Sequence, residues 1–214
     1  MLIKCENIFP LYMKDQIDLD SELWNKSLEF NSENSYVLES ASGKGKSSFV
    51  SFLYGLRYDY SGTILIDDID CKKLDANYWS KIRKNQLSIV PQDLSLFNKL
   101  SVLDNLLIKN KLTNNKTIDE IIELMQILQI DSYKNKIVSK LSLGQQQRVA
   151  ILRALLQDFD FIVLDEPFSH LDRQNAILAM NLILKECKKQ NANFIITSLG
   201  NKIPFPNNTI KICL

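Results

Sequence analysis

The chain has 214 residues, of which 45% are hydrophobic and 24% charged, with 26 basic residues set against 25 acidic ones. That is ample for one sizeable core, and a formal net charge of +1 offers no electrostatic footing for nucleic acid or an anionic membrane as the main partner. Cys5, Cys71, Cys187 and Cys213 lie far apart and form no Cys-x-x-Cys pair, so zinc and redox spacings are unsupported and reduced thiols are expected. No stretch approaches the roughly 18 apolar residues of a membrane span. Lys4, Glu6 and Pro10 interrupt any signal-peptide core. The expectation is a cytoplasmic protein whose membrane role, if any, runs through a partner.

In chain order, residues 2–8, 27–30, 36–39 and 63–67 are short, β-prone runs, with Gly62 as a turn signal. A helix is expected from Lys46 and another over 76–84. Residues 87–90 read as a buried strand ended by Pro91. The middle is helical. Thr117 and Glu120 form a capping box ahead of Ile118, Ile121, Ile122, Met125 and Leu128 at helical spacing. Ser142 caps a second helix, with Gln145 three residues on. Strands at 161–164, 194–197 and 210–214 then alternate with a helix after Asp172. Polar clusters at 31–35, 113–116 and 204–208 read as turns. Strands alternating with helices predict an α/β fold with a mostly parallel sheet. N-terminal antiparallel strands precede that sheet, and a helical lobe over about 93–158 is inserted in it.

Residues 36–39 lead into Ser40-Ala41-Ser42-Gly43-Lys44-Gly45-Lys46-Ser47-Ser48. A strand, a small-residue loop and a helix start turn successive backbone N–H groups toward one point, where the helix dipole adds to them. This is a P-loop pattern for phosphate. Lys46 is expected on the β- and γ-phosphates and Ser47 on Mg²⁺. Ser40 stands where the pattern has Gly, so strain is expected there.

Further on, the apolar run 161–164 ends in Asp165-Glu166-Pro167. Such a run suits a strand buried on both faces, and parallel sheets bind ligands at the carboxyl ends of their strands. Asp165 is therefore expected in the Mg²⁺ shell. Glu166 is expected to orient or deprotonate a water attacking the phosphate.

Leu141-Ser142-Leu143-Gly144-Gln145-Gln146-Gln147-Arg148 resembles the ABC ATPase signature, Leu-Ser-Gly-Gly-Gln, with Leu143 replacing the first Gly. The resemblance covers essentially the whole chain and implies a single ABC ATPase domain over 1–214, with a RecA-like core at about 1–92 and 159–214. In this family the signature of one subunit faces the ATP held by the phosphate loop of a second. Ser142, Gly144 and Gln145 are thereby implied in ATP binding across a head-to-tail homo- or heterodimer. Gln92 matches the family's Q-loop glutamine, which reaches Mg²⁺ or the attacking water. Ser169-His170-Leu171-Asp172 resembles the D-loop, Ser-Ala-Leu-Asp, which makes Asp172 an interface residue. Tyr12, five residues after Asn7, matches the adenine-stacking aromatic.

Residues 96–106 resemble the stretch that docks on a transmembrane coupling helix. Within them, 100–106 resembles lipoprotein-releasing and macrolide-exporting ATPases, a pointer to export. The family's switch histidine is replaced by Ser198. A Ser hydroxyl is shorter than imidazole and carries no positive charge at neutral pH, so turnover is expected to be slow. The implied function is an Mg-ATP-hydrolysing subunit, peripheral to the cell membrane and driving a separate transmembrane permease. Retained Glu166 favours that reading over a weakly hydrolysing, degenerate or switch-like cassette, which Ser40 and Ser198 motivate. A DNA-repair or translation ABC protein ranks last, because long coiled coils, a second cassette and basic surfaces are missing.

Overall fold

The computed structural model describes residues 1–13, 21–200 and 205–214; Pro204, expected to open a turn, lies outside them. Its strands are β1 (Leu2–Pro10), β2 (Ser27–Asn31), β3 (Tyr36–Glu39), β4 (Tyr60–Ile66), β5 (Ile69–Asp70), β6 (Leu87–Val90), β7 (Phe161–Asp165), β8 (Asn193–Ser198) and β9 (Ile210–Cys213). Its helices are α1 (Lys46–Leu53), α2 (Ala76–Asn85), α3 (Val102–Asn110), α4 (Ile118–Ile127), α5 (Leu143–Ala154) and α6 (Arg173–Gln190). No helix among the described residues is long and apolar enough to cross a membrane.

The strands form two sheets. One is antiparallel, in the order β2-β1-β4-β5. The other is entirely parallel, in the order β6-β7-β8-β3-β9. This is the α/β class expected from the alternation of strands and helices. Period-2 alternation distributes the parallel strands between two apolar clusters. Ile162, Leu164, Phe194 and Ile196 face a cluster that includes Val102, Ile121 and Val149 of α3, α4 and α5. Phe161, Val163 and Ile195 face a second cluster with Phe30 of β2 and Phe49 and Phe52 of α1. Both faces of β7 are covered, which is why its sequence is a continuous apolar run rather than an alternating one.

The helix starts follow local capping chemistry. Thr117 and Glu120 cap α4 reciprocally, as do Ser142 and Gln145 at α5. A third box, Ser101 with Asp104, starts α3; its Ser-x-x-Asp spacing is visible in the sequence. The role of Gly62 differs from expectation. It lies inside β4 with φ 76°, beside a register shift of β1 between Glu6 and Phe9. A Cβ there would come 2.4 Å from the Glu6 and Asn7 carbonyl oxygens, so the glycine serves a bulge rather than a turn. The turn is Asp67–Asp68, both at positive φ, between β4 and β5.

Because β6, β7, β8 and β3 are adjacent and parallel, their carboxyl ends share one edge. Gln92 follows β6, Asp165 ends β7, Ser198 ends β8 and Ser40 follows β3. Four residues spread over 158 positions of chain are brought to one rim by strand order alone.

Candidate functional site

The phosphate loop turns left-handed at Gly43 (φ 84°) and Gly45 (φ 88°). A Cβ on Gly45 would approach the Trp24 ring to 2.9 Å and Met13 Sδ to 3.2 Å, so this glycine answers both to backbone angle and to space. Ser40 does not adopt a positive φ. The strain expected from Ser in place of Gly is therefore absent, because the left-handed turns fall on the two glycines that remain. Trp24 is buried and its Nε1 donates to the Lys44 carbonyl at 3.0 Å. It braces the loop from behind, a role with no sequence signal.

Lys46, only 4% exposed, donates through Nζ to the carbonyls of Ser40 (2.8 Å) and Ala41 (2.9 Å) and to Ser40 Oγ (3.3 Å). Its Nζ lies 3.6 Å from Glu166 Oε1. Ser47 Oγ donates to Gln92 Oε1 at 3.2 Å. A cavity of about 280 Å³ is lined by Tyr12, Ser42, Gly43, Gly45, Lys46, Ser47, Ser48, Gln92 and Glu166. It gathers the phosphate-loop, Q-loop and acidic-strand candidates in one place. Asp165 is buried and accepts from Thr197 Oγ1 at 2.6 Å. It lines an adjoining groove of about 620 Å³ together with Ser47 and Gln92.

Tyr12, 56% exposed, has its hydroxyl 2.7 Å from Ser48 Oγ. Arg57 lies 5.3 Å from its ring centroid and donates to Ser48 Oγ at 3.1 Å. Asp59 holds Arg57 from the other side, and the ion pair raises the guanidinium's pKa. Ser48 is thus turned toward the tyrosine rather than toward the loop. Arg57 is a member of this platform that sequence reading missed.

Glu166 has φ 47°, a left-handed conformation that costs a non-glycine residue energy and persists only where the surroundings impose it. Thr197 Oγ1 accepts its N–H at 2.9 Å. Its carbonyl accepts from Gln147 Nε2 at 3.0 Å and from Ser169 N at 3.2 Å.

A second group stands apart from the first. Ser142, Gly144, Gln145 and Asp172 line a cavity of about 290 Å³ with Arg148, His170, Leu171 and Asn175. Asp172 caps α6, and its carboxyl pKa is lowered by the backbone N–H of Asn175 and then by the Asn175 side chain. Leu143 is 57% exposed at the head of α5. Ser198 joins neither cavity. Its hydroxyl accepts from the Gly200 N–H at 3.1 Å, and its carbonyl accepts from the Ser40 N–H at 3.3 Å. The lone imidazole, His170, is exposed on the loop before α6.

A parallel sheet with a glycine-turned lysine loop at one strand end, an acidic pair at another and an inserted set of capped helices is the architecture of an ABC-type ATP-binding cassette. The family model described as "ABC transporter" matches residues 23–169. The lipoprotein-releasing system ATP-binding protein LolD of Buchnera aphidicola subsp. Schizaphis graminum is 31% identical over 92% of this chain and 87% of its own length. The sulfate/thiosulfate import ATP-binding protein CysA of Vibrio vulnificus is 35% identical over 69% of this chain and 43% of its own length. Among solved structures, a dimeric post-hydrolysis state of the ATP-binding cassette MJ0796 bound to ADP and Pi superposes with a TM-score of 0.73 at 26% identity, covering 91% of this chain and 87% of that one. The chain belongs to the ABC transporter family and has its ATPase cassette fold.

Proposed function

We propose that this chain is the ATP-hydrolysing subunit of an ABC transporter, closing head to tail on a second cassette and driving a separate transmembrane permease. The observation that carries the reading is the division of its candidate residues between two cavities. Lys46, Ser47, Gln92 and Glu166 line one, while Ser142, Gly144 and Asp172 line another. A phosphate cradle and a helix-cap anion site that do not meet within one chain suit nucleotides held between two chains. The dimeric MJ0796 cassette is consistent with this. The chain is best described as one cassette, with a core at about 1–92 and 159–214 and a helical lobe at about 93–158.

The chemistry assigns each residue a task. Tyr12 offers a ring face to the adenine, backed by Arg57. N–H groups of the loop from Ser42 to Ser48, Lys44 included, cradle the phosphates, and Lys46 moves from the carbonyls of Ser40 and Ala41 to the β/γ-phosphate charge. Ser47 and Gln92 present two hard oxygens 3.2 Å apart, and Asp165 adds a carboxylate on the same groove; this donor set fits Mg²⁺ with water and phosphate completing the shell. That ion supplies neutralisation of the charge developing on the phosphates. Glu166 Oε1 orients the attacking water and accepts its proton. Ser142 and the first N–H groups of α5 cap the γ-phosphate held by the other subunit.

Coupling to a permease is supported by the part of the same groove lined by Tyr54, Leu56, Pro91, Asp93 and Arg153, and by the exposed Phe97 and Ile108 in the stretch 93–110. The LolD relatives, at 31% and 32% identity over most of the chain, favour export of a lipid-linked cargo. Such a subunit sits on the cytoplasmic side of the cell membrane.

Ser198 favours a second reading, a weakly hydrolysing cassette that acts as a switch or as one half of a heterodimer. Its hydroxyl accepts from the Gly200 N–H, and it is shorter than an imidazole and carries no positive charge at neutral pH, which makes it a weaker partner for a γ-phosphate. Steady-state phosphate release with Mg-ATP, run on wild type beside Glu166→Gln, separates the two readings. Turnover that falls about 10²- to 10⁴-fold in the variant supports hydrolysis by this chain. ATP binding without turnover in either protein overturns it in favour of the switch.

A further inference from the structure

Gln147 of α5 is 2% exposed, and neither the capping chemistry nor the phosphate cradle uses it. Its carboxamide bonds in two directions. Nε2 donates to the Glu166 carbonyl at 3.0 Å, and Oε1 accepts the His170 N–H at 3.0 Å. A terminal amide offers a donor and an acceptor side by side, and unlike a carboxyl it keeps both at neutral pH without charge. Three residues earlier on the same helix face, Gly144 lies against the same loop. A Cβ there would come 2.7 Å from the His170 carbonyl oxygen. The first turns of α5 therefore grip the segment from Glu166 to His170 at three backbone points. Glu166 needs such a grip, because its φ of 47° is not self-sustaining, and its N–H is already held from β8 by Thr197.

We propose that Gln147 is a positioning residue that couples the head of α5 to the hydrolytic carboxylate of the same chain. The inference rests on the reading of Glu166 as the group that activates water. A nucleotide captured at Ser142 and Gly144 displaces or rigidifies α5. Gln147 transmits that change to the backbone on both sides of the Glu166–His170 loop, so each site of the pair is cocked by engagement of the other. The state of α5 thus sets the aim of Glu166, while the affinity of the phosphate loop for ATP is untouched.

The test compares wild type, Gln147→Leu and Gln147→Glu in three measurements: ATP affinity, kcat for phosphate release, and amide hydrogen exchange of a peptide covering 165–172 with and without Mg-ATP. Gln147→Leu is expected to bind ATP as wild type does, to lose between about tenfold and a hundredfold in kcat through misplacement of Glu166, and to lose the ATP-induced protection of 165–172. Gln147→Glu lacks the donor while ionised and regains it when protonated. Its kcat relative to wild type is expected to rise as pH falls from about 7 toward about 5.5, since burial raises a carboxyl pKa; a purely structural role would not produce that recovery. Unchanged kcat in Gln147→Leu overturns the proposal, as does equal ATP-induced protection in wild type and variant, or none in wild type. A wild type that binds ATP without turnover removes the hydrolysis reading alone, and the exchange comparison then decides the coupling.

Discussion

The phosphate-loop end and the signature end of this cassette are built in opposite ways. At the phosphate loop, Lys46 is buried and bonded to two backbone carbonyls, Gly45 is packed on Trp24, and Ser47 already touches Gln92. At the signature, Ser142 and Gln145 are bonded to each other's backbone in a capping box, and the exposed Leu143 follows directly. The first is held from several elements of its own chain. The second is a locally capped helix end facing outward. On the proposed head-to-tail reading, the difference teaches that one half of a nucleotide site can be finished by folding, whereas the other half is finished only by assembly.

The largest effect expected from breaking the first half is that of Lys46→Ala. Removing the main charge on the β/γ-phosphates should weaken ATP binding at least about a hundredfold, given roughly twice the strength for charge-assisted bonds to phosphate, and abolish ATP-dependent dimerisation. Calorimetric titration with Mg-ATP checks it, and unchanged affinity would sink the phosphate-loop assignment. Next in size is Ser142→Ala, which addresses the other half. It should leave ATP affinity of the monomer intact and lower turnover and ATP-driven dimerisation. Loss of the cap should also cost about 1 kcal/mol of stability. A drop in monomer affinity equal to that of Lys46→Ala would erase the distinction between the two ends.

The smallest effect concerns neither end. Lys109 on α3 has its pKa lowered to about 8, chiefly by burial and then by Arg153. Its folded value lies below its ordinary 10.5, so between these values the unfolded chain binds more protons and stability rises with pH. The penalty is fully present below about 8 and relieved toward 10.5. Lys109→Met should therefore raise the melting temperature at pH 7.5 by more than at pH 9.5. An equal shift at both would remove Lys109 as the cause.

Much of this was legible in the sequence because it depends on neighbours within four residues. Thr117 with Glu120 and Ser142 with Gln145 start the helices they signal. The apolar run 161–164 became a strand buried on both faces. Gly43 and Gly45, whose side chains are too small to forbid it, take the left-handed turns. Other readings went astray where a distant partner decided. Gly62 was a plausible turn until the Glu6 and Asn7 carbonyls came within 2.4 Å of where a Cβ would sit. Ser40 promised strain that its backbone does not carry. Gln147, within the quoted signature, carries no signal of its two bonds, since both partners lie 19 or more residues away.

The sequence by itself determined which residues are candidates for phosphate chemistry, where helices start and which strands are buried. Those choices follow from side-chain type, hydrogen bonds to adjacent backbone and the periods of helix and strand. Only the tertiary structure decided that the ends of β3, β6, β7 and β8 share one rim, that Lys46 meets Glu166 at 3.6 Å, and that the signature helix grips the loop carrying that carboxylate. Strand order and packing depend on burying both faces of one sheet at once, and no local stretch of chain encodes that condition.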